Sequence, residues 1–210
     1  MTAAIAPTGD AAKRVAAVLA EGGVALIPTD TVYGLAADPE HASAVDRIFE
    51  IKGRPESQPI AVLVSPEFPL DSLAEDVPSE LHSIGGPIWA GGRLTIVLRR
   101  RPGHLDAIAA GAPTVGLRAP DHSFTQRVIA TLGRPIAATS ANISGQPSPA
   151  AFEDVDPAIV NAVDLAVDGG RCPTSVHSSV VDFSVVPPRI LRAGAISTEE
   201  LSTSLGVNFR

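Results

Sequence analysis

The chain has 210 residues, 45% hydrophobic and 19% charged, with a formal net charge of −7. That length is enough to bury a substantial core, and the composition excludes general disorder. No run approaches the ~18 apolar residues of a membrane span, no secretory pattern opens the chain, and the acidic balance argues against a coat for nucleic acid.

Val15, Val18 and Leu19 recur at helical spacing and stop at Gly22-Gly23. Residues 24–27 then read as a short buried strand closed by Pro28. Asp38-Pro39 reads as an N-cap with proline at the first helical position, opening a helix that carries Val45, Ile48 and Phe49 and ends near Gly53. Residues 60–64 and 94–98 are apolar strands, the second followed by Arg99, Arg100 and Arg101. Residues 114–118 form a strand stopped by Ala119-Pro120. Phe124, Val128 and Leu132 mark a helix that runs to Gly133. Strands at 136–139, 165–167, 179–183 and 189–191 follow. Ser197 and Glu200 form a capping box for a final helix. Strands separated by helices, with no repeat and no long linker, predict one α/β domain over residues 1–210.

Four segments fit neither core nor ordinary surface. In Pro28-Thr29-Asp30-Thr31-Val32-Tyr33-Gly34, alternation sets Thr29 and Thr31 on one face and Asp30 on the other. The hydroxyls can bind a small polar ligand or simply suit a strand. Lys52 and Arg54 sit at a helix end, where they complement the helix dipole or clamp phosphate; Arg54 suits bidentate contact and Lys52 a point charge. The run 137–149, with Thr139, Ser140, Asn142, Ser144 and Ser148, is a surface turn or a close-approach loop for phosphates. It is neither a Walker loop nor a Rossmann fingerprint. Arg118 ends an apolar run and needs either an ion-pair partner or a bound anion. His41, His82, His104, His122 and His177 show no metal spacing, and the single cysteine, Cys172, lies in no motif and fits a reducing, cytoplasmic setting. The cluster Arg99 to Arg101 reads as a solvated strand end or an RNA-facing patch.

Taken in order, seven stretches resemble the YrdC-like family of threonylcarbamoyl-adenylate synthases. They are PTDTVYGLAAD at 28–38, IFEIKGRPESQPIAVLV at 48–64, TVGLRAP at 114–120, TSANISGQPSP at 139–149, DGG at 168–170, SSVVD at 178–182 and RILRAGAIS at 189–197. The resemblance implies a twisted open mixed sheet with flanking helices around a deep, positively lined central cavity, in the short form without the extra C-terminal domain of longer members. It implies formation of threonylcarbamoyl-AMP and pyrophosphate from L-threonine, bicarbonate and ATP. A separate transferase complex would then modify an adenosine beside the tRNA anticodon. It places Thr31, Arg118, Ala138 and Ser178 around threonine, and Lys52, Arg54, Gln58, Thr114, Ser140, Asn142, Ser148 and Arg192 around ATP, with Lys52 and Arg54 as catalytic groups. Magnesium is expected to enter with ATP, with no tightly bound cofactor and no metal site of the protein's own. No membrane partner is expected, and RNA contact is weak or indirect.

The chain departs from the family pattern at named places. Gln58 replaces a common asparagine, and Leu63 stands where a histidine is often found. His177 replaces glutamate in Ser175-Val176-His177-Ser178-Ser179, and Trp89-Ala90-Gly91-Gly92-Arg93-Leu94-Thr95 is one residue longer than usual. Two other readings therefore stay open: a structured-RNA-binding module, and an enzyme that makes a carbamoyl-adenylate for another acceptor.

Overall fold

Alternation along short strands divides the interior into two cores. A computed structural model of the chain describes residues 3–55, 57–82, 86–174 and 176–209, so Glu56 and Ser175 of the motifs above lie outside the described residues. In chain order the elements are α1 (Gly9–Ala20), β1 (Ala25–Ile27), β2 (Gly34–Ala37), α2 (Ala42–Lys52), β3 (Ala61–Leu63), β4 (Ala74–Glu75), α3 (Ser79–His82), α4 (Gly86–Trp89), β5 (Leu94–Arg100) and α5 (Asp106–Ala109). They continue with β6 (Thr114–Arg118), α6 (Ser123–Leu132), β7 (Ile136–Ser140), α7 (Pro157–Ala162), β8 (Leu165–Ala166), β9 (Ser179–Asp182), β10 (Arg189–Arg192) and α8 (Thr198–Leu205). The strands form one mixed, open sheet in the order β10-β9-β5-β6-β3-β7-β2-β1-β8, with β4 pairing the far end of β5 at Arg99 and Arg100. This is an α/β fold with helices flanking the sheet.

One core packs Val15 and Leu19 of α1 and Phe124 and Val128 of α6 against Ala25, Ile27, Ala36 and Ile136. The other packs Val45 and Ile48 of α2 and Leu201 of α8 with Leu26, Leu35, Val62, Ile96 and Leu117. Adjacent residues of β1, β2, β3 and β7 thus go to opposite cores, as a period of two requires. Each fully buried leucine or isoleucine contributes about 1.5–3 kcal/mol.

Three local expectations are corrected. β2 does not stand out in the sequence, because Gly34-Leu35-Ala36-Ala37 has weak strand propensity; burial between β1 and β7 overrides it. α2 starts at Ala42, not at Asp38. The Asp38 carboxylate is fully buried, so it takes a charged partner, Arg134 (Nε to Oδ2, 2.7 Å), along with the Glu40 N–H. α8 keeps half of its capping box: Ser197 Oγ accepts the Glu200 N–H at 3.1 Å, while the Glu200 carboxylate pairs with Arg93 at 2.8 Å. Arg99, Arg100 and Arg101 lie at the end of β5 and just beyond, and all three meet groups of the chain itself: Asp76, Asp106 and the Asp71 carbonyl.

Candidate active site

Helices α1 and α6 cover the β1 side of one sheet face and leave that face open farther along. The open positions alternate with the second core: Gly34 on β2, Ala61 and Leu63 on β3, Thr95 on β5, Arg118 on β6 and Ala138 on β7. Register places Leu63 and Thr95 on either side of Arg118, and Ala61 beside Ala138. Together they line a cavity of about 390 Å³, within the ~300–1,000 Å³ of small-molecule sites. The rest of its wall comes from Thr29, Thr31 and Tyr33 before β2, Arg54 after α2, Ser140 at the end of β7, Ser148 in the loop after it, His177 and Ser178 before β9, and Arg192 on β10.

The turn after β1 braces itself. Thr29 Oγ1 donates to the Val32 carbonyl at 2.6 Å and accepts the N–H groups of Thr31 and Val32. Its hydroxyl therefore shapes the turn, and Thr31, beside it, faces the same cavity. Tyr33 Oη donates to the Gly170 carbonyl at 2.8 Å and accepts the Gly169 N–H; burial pushes its pKa up to about 12.

Asp30 points the other way, as the alternation implied, and pairs with Arg118: Nη2 to Oδ2 is 2.6 Å, and both side chains are at least 90% buried. Arg118 Nε donates to the Gly92 carbonyl at 2.9 Å. A Cβ at Gly92 would stand 2.2 Å from Asp30 Oδ2, and φ there is +65°, so this turn requires glycine. Burial raises the Asp30 carboxyl above the usual range, outweighing the attraction of Arg118 and reinforced by Asp121. The ion-pair reading of Arg118 is thus realised, and its guanidinium still reaches the cavity wall. Asp30 is the functional residue that sequence reasoning left without a role; its place between two threonines was the available signal.

The other predicted residues divide between the cavity and its surroundings. Arg54 lines the wall, with Nε and Nη2 donating to the Gln58 and Pro59 carbonyls at 3.3 and 3.1 Å. Arg192 donates to the Ser178 carbonyl at 2.9 Å, and Ser178 Oγ lies 2.8 Å from Thr95 Oγ1. Lys52 is off the cavity lining and 1% exposed. Its Nζ donates to the carbonyls of Ser140 and Asn142, the latter at 2.7 Å, and to Asn142 Oδ1 at 3.2 Å. Burial, then Arg54, lowers its pKa to about 8. It is a prop beneath the Ser140–Asn142 turn. Asn142 turns its amide to the carbonyls of Ile143 and Gln146 in a neighbouring groove. Gln58 is exposed and meets Arg54 only through its backbone oxygen. Thr114 stands at the opposite end of β6 from Arg118, in a separate groove with Arg99 and Arg100. Thr95 joins the wall unannounced; a lone hydroxyl within the apolar run 94–98 was its only trace.

Three guanidiniums and an imidazole line the cavity, with no carboxylate among its described residues. A chain of net charge −7 thus presents a locally cationic hollow edged with hydroxyls and small side chains, suited to a polyanion beside a small carboxylate. No group of three or more metal-ligating side chains occurs among the described residues, and no helix there is long and apolar enough to cross a membrane.

Known proteins resemble this chain in sequence and fold. The chain is 38% identical over 194 residues to the threonylcarbamoyl-AMP synthase of Pyrococcus abyssi, covering 92% of itself and 57% of that protein. It is 37% identical to the Bacillus subtilis protein of the same name, again over 92% of itself and 56% of the relative. The chain thus spans just over half the length of these curated relatives. The crystal structure of P. abyssi Sua5 complexed with L-threonine superposes with a TM-score of 0.89 at 35% identity, over 97% of this chain and 60% of that one. The profile of the Sua5, YciO and YrdC proteins, described as telomere recombination, matches residues 17–194, and with it the chain belongs to that family.

Proposed function

We propose that this chain makes threonylcarbamoyl-AMP and pyrophosphate from L-threonine, bicarbonate and ATP. The observation that carries the reading is the cavity itself: Arg54, Arg118 and Arg192 converge on one hollow among the hydroxyls of Thr31, Ser140, Ser148 and Ser178. Relatives that align over nine-tenths of the chain bear the name of this activity.

In this reading Arg118, aimed by Asp30, holds the threonine carboxylate. The threonine ammonium and bicarbonate give N-carboxythreonine, water and a proton. The new carboxylate then attacks the α-phosphorus of ATP: a carboxylate O–P bond forms, and the bond to the β-phosphate bridging oxygen breaks. Pyrophosphate leaves with its charge balanced by Arg54 and Arg192. No serine or cysteine on the wall has a base bonded to it, so the chemistry proceeds by alignment and charge neutralisation without a covalent enzyme intermediate. Magnesium travels with the ATP phosphates as part of the substrate. The product serves a separate transferase that modifies a tRNA adenosine beside the anticodon, in the cytoplasm.

Mass spectrometry of a mixture of the protein, ATP, bicarbonate and threonine tests this directly. The expected species is threonylcarbamoyl-AMP, and a mixture holding only unreacted ATP overturns the proposal. A second reading has one observation in its favour. Leu63 and His177, the two departures from the family's amino-acid site, both line the cavity. A carbamoyl-adenylate formed when a carbamoyl donor replaces threonine and bicarbonate would mark the chain as serving another acceptor.

A further inference from the structure

N-carboxylation needs a free amine, and threonine arrives as an ammonium. Something must accept that proton. Of the described side chains on the cavity wall, Arg54, Arg118 and Arg192 are cations that hold their protons. Tyr33 Oη is engaged by Gly169 and Gly170, and its proton is held up to about pH 12. Thr29, Thr31, Thr95, Thr139, Ser140, Ser148 and Ser178 offer hydroxyls, which are poor bases. His177 remains.

Its backbone is firmly placed. Ala195 N–H donates to the His177 carbonyl at 2.9 Å. Gly194 presses so close that a Cβ there would lie 2.4 Å from that oxygen. The next residue, Ser178, carries Arg192 on its carbonyl. The His177 side chain is exposed and lies within electrostatic reach of Arg118 and Arg192. It thus stands near the group assigned to the threonine carboxylate, with solvent to carry protons away.

We infer that His177 is the catalytic base of this cavity, taking the proton of the threonine ammonium so that the amine can be carboxylated. The inference rests on the synthase reading above. The step balances. One ammonium proton passes to the imidazole. The amine lone pair forms the C–N bond at the bicarbonate carbon, the C–OH bond breaks, and hydroxide leaves with the second amine proton as water. The imidazolium then releases its proton to solvent.

Electrostatics agree with this role. Partial desolvation against the cavity wall, then Arg192 and Arg118, lowers the His177 pKa from its ordinary 6.5, which favours the unprotonated ring at neutral pH. Asp30 and Glu200 are committed to Arg118 and Arg93, Asp121 lies in the neighbouring groove with Asp30 and Val176, and none of the three lines the cavity. The same guanidiniums oppose the ammonium form of the substrate.

The test is threonine-dependent pyrophosphate release against pH, for wild type, His177→Ala and His177→Glu. Wild type should lose rate on acidification, along a limb that lies below the ordinary imidazole range, where the ring takes its proton. His177→Ala should run ~10²-fold slower at neutral pH and lose that acidic limb. His177→Glu restores a base and should recover rate, with the limb moved to lower pH. An alanine variant that keeps wild-type rate, or that slows while keeping the same acidic limb, overturns the assignment and leaves the synthase reading standing. A wild-type protein with no threonine-dependent release at any pH overturns the synthase reading instead, and the base with it.

Discussion

Two buried cations flank the cavity and are satisfied by opposite means. Arg118 faces the wall with a carboxylate behind it, 2.6 Å away. Lys52 stands behind the wall and is held by the oxygens of Ser140 and Asn142, dipoles without formal charge. The Asp30–Arg118 pair is nearly neutral as a unit, so what it offers a ligand is a rigid fork of donors. Lys52 keeps its charge uncompensated, which its lowered pKa reflects, and it ties down the loop that carries Ser140. Geometry is thus supplied on one side of the site and field on the other.

The largest way to break this contrast is Asp30→Ala. It strands a buried guanidinium, and stability should fall by ~3–5 kcal/mol in urea denaturation. The double replacement Asp30→Leu with Arg118→Met should recover most of that loss, because neither charge is left alone. Arg54→Ala comes next. Its guanidinium lies on the wall, and adenylate formation should slow by roughly 10²–10³, or ~2–4 kcal/mol, with little change in stability. An unchanged rate would remove Arg54 from the phosphate role.

Lys52→Met should cost ~1–3 kcal/mol, since three oxygens lose their donor. The pH dependence sharpens this case. Folding lowers the Lys52 pKa from 10.5 to about 8, so between those values the unfolded chain binds this proton more firmly than the folded chain. Wild-type stability should therefore rise with pH across that window relative to Lys52→Met, and a flat difference would contradict the uncompensated charge. Thr114→Val gives the smallest effect. It lies at the far end of β6, and both stability (within ~0.5 kcal/mol) and ATP affinity should stay close to wild type.

These pairs also show what could be read before folding. The strand ending at Arg118 was legible, because an apolar run closed by Ala119-Pro120 admits few alternatives. The helix ending at Lys52 was legible from Val45, Ile48 and Phe49 and from Gly53, which takes φ +57°. Which cation faces the ligand was not. That depends on register across β3, β6 and β5 and on a loop 88 residues away closing over Lys52, and neither leaves a local trace. Asp30 was visible as a carboxylate between hydroxyls, but its partner lies 88 positions on. Thr114 was carried toward the nucleotide by motif membership alone; five strand residues set it and Arg118 at opposite ends.

The most direct test of the shared hollow is pyrophosphate release with each amino acid in turn, for wild type, Arg54→Ala and Arg118→Ala. Arg54, Arg118 and the hydroxyl loops acting as one site predict release that needs both threonine and bicarbonate and collapses in both variants. Release that ignores threonine, or that survives both substitutions, would contradict it.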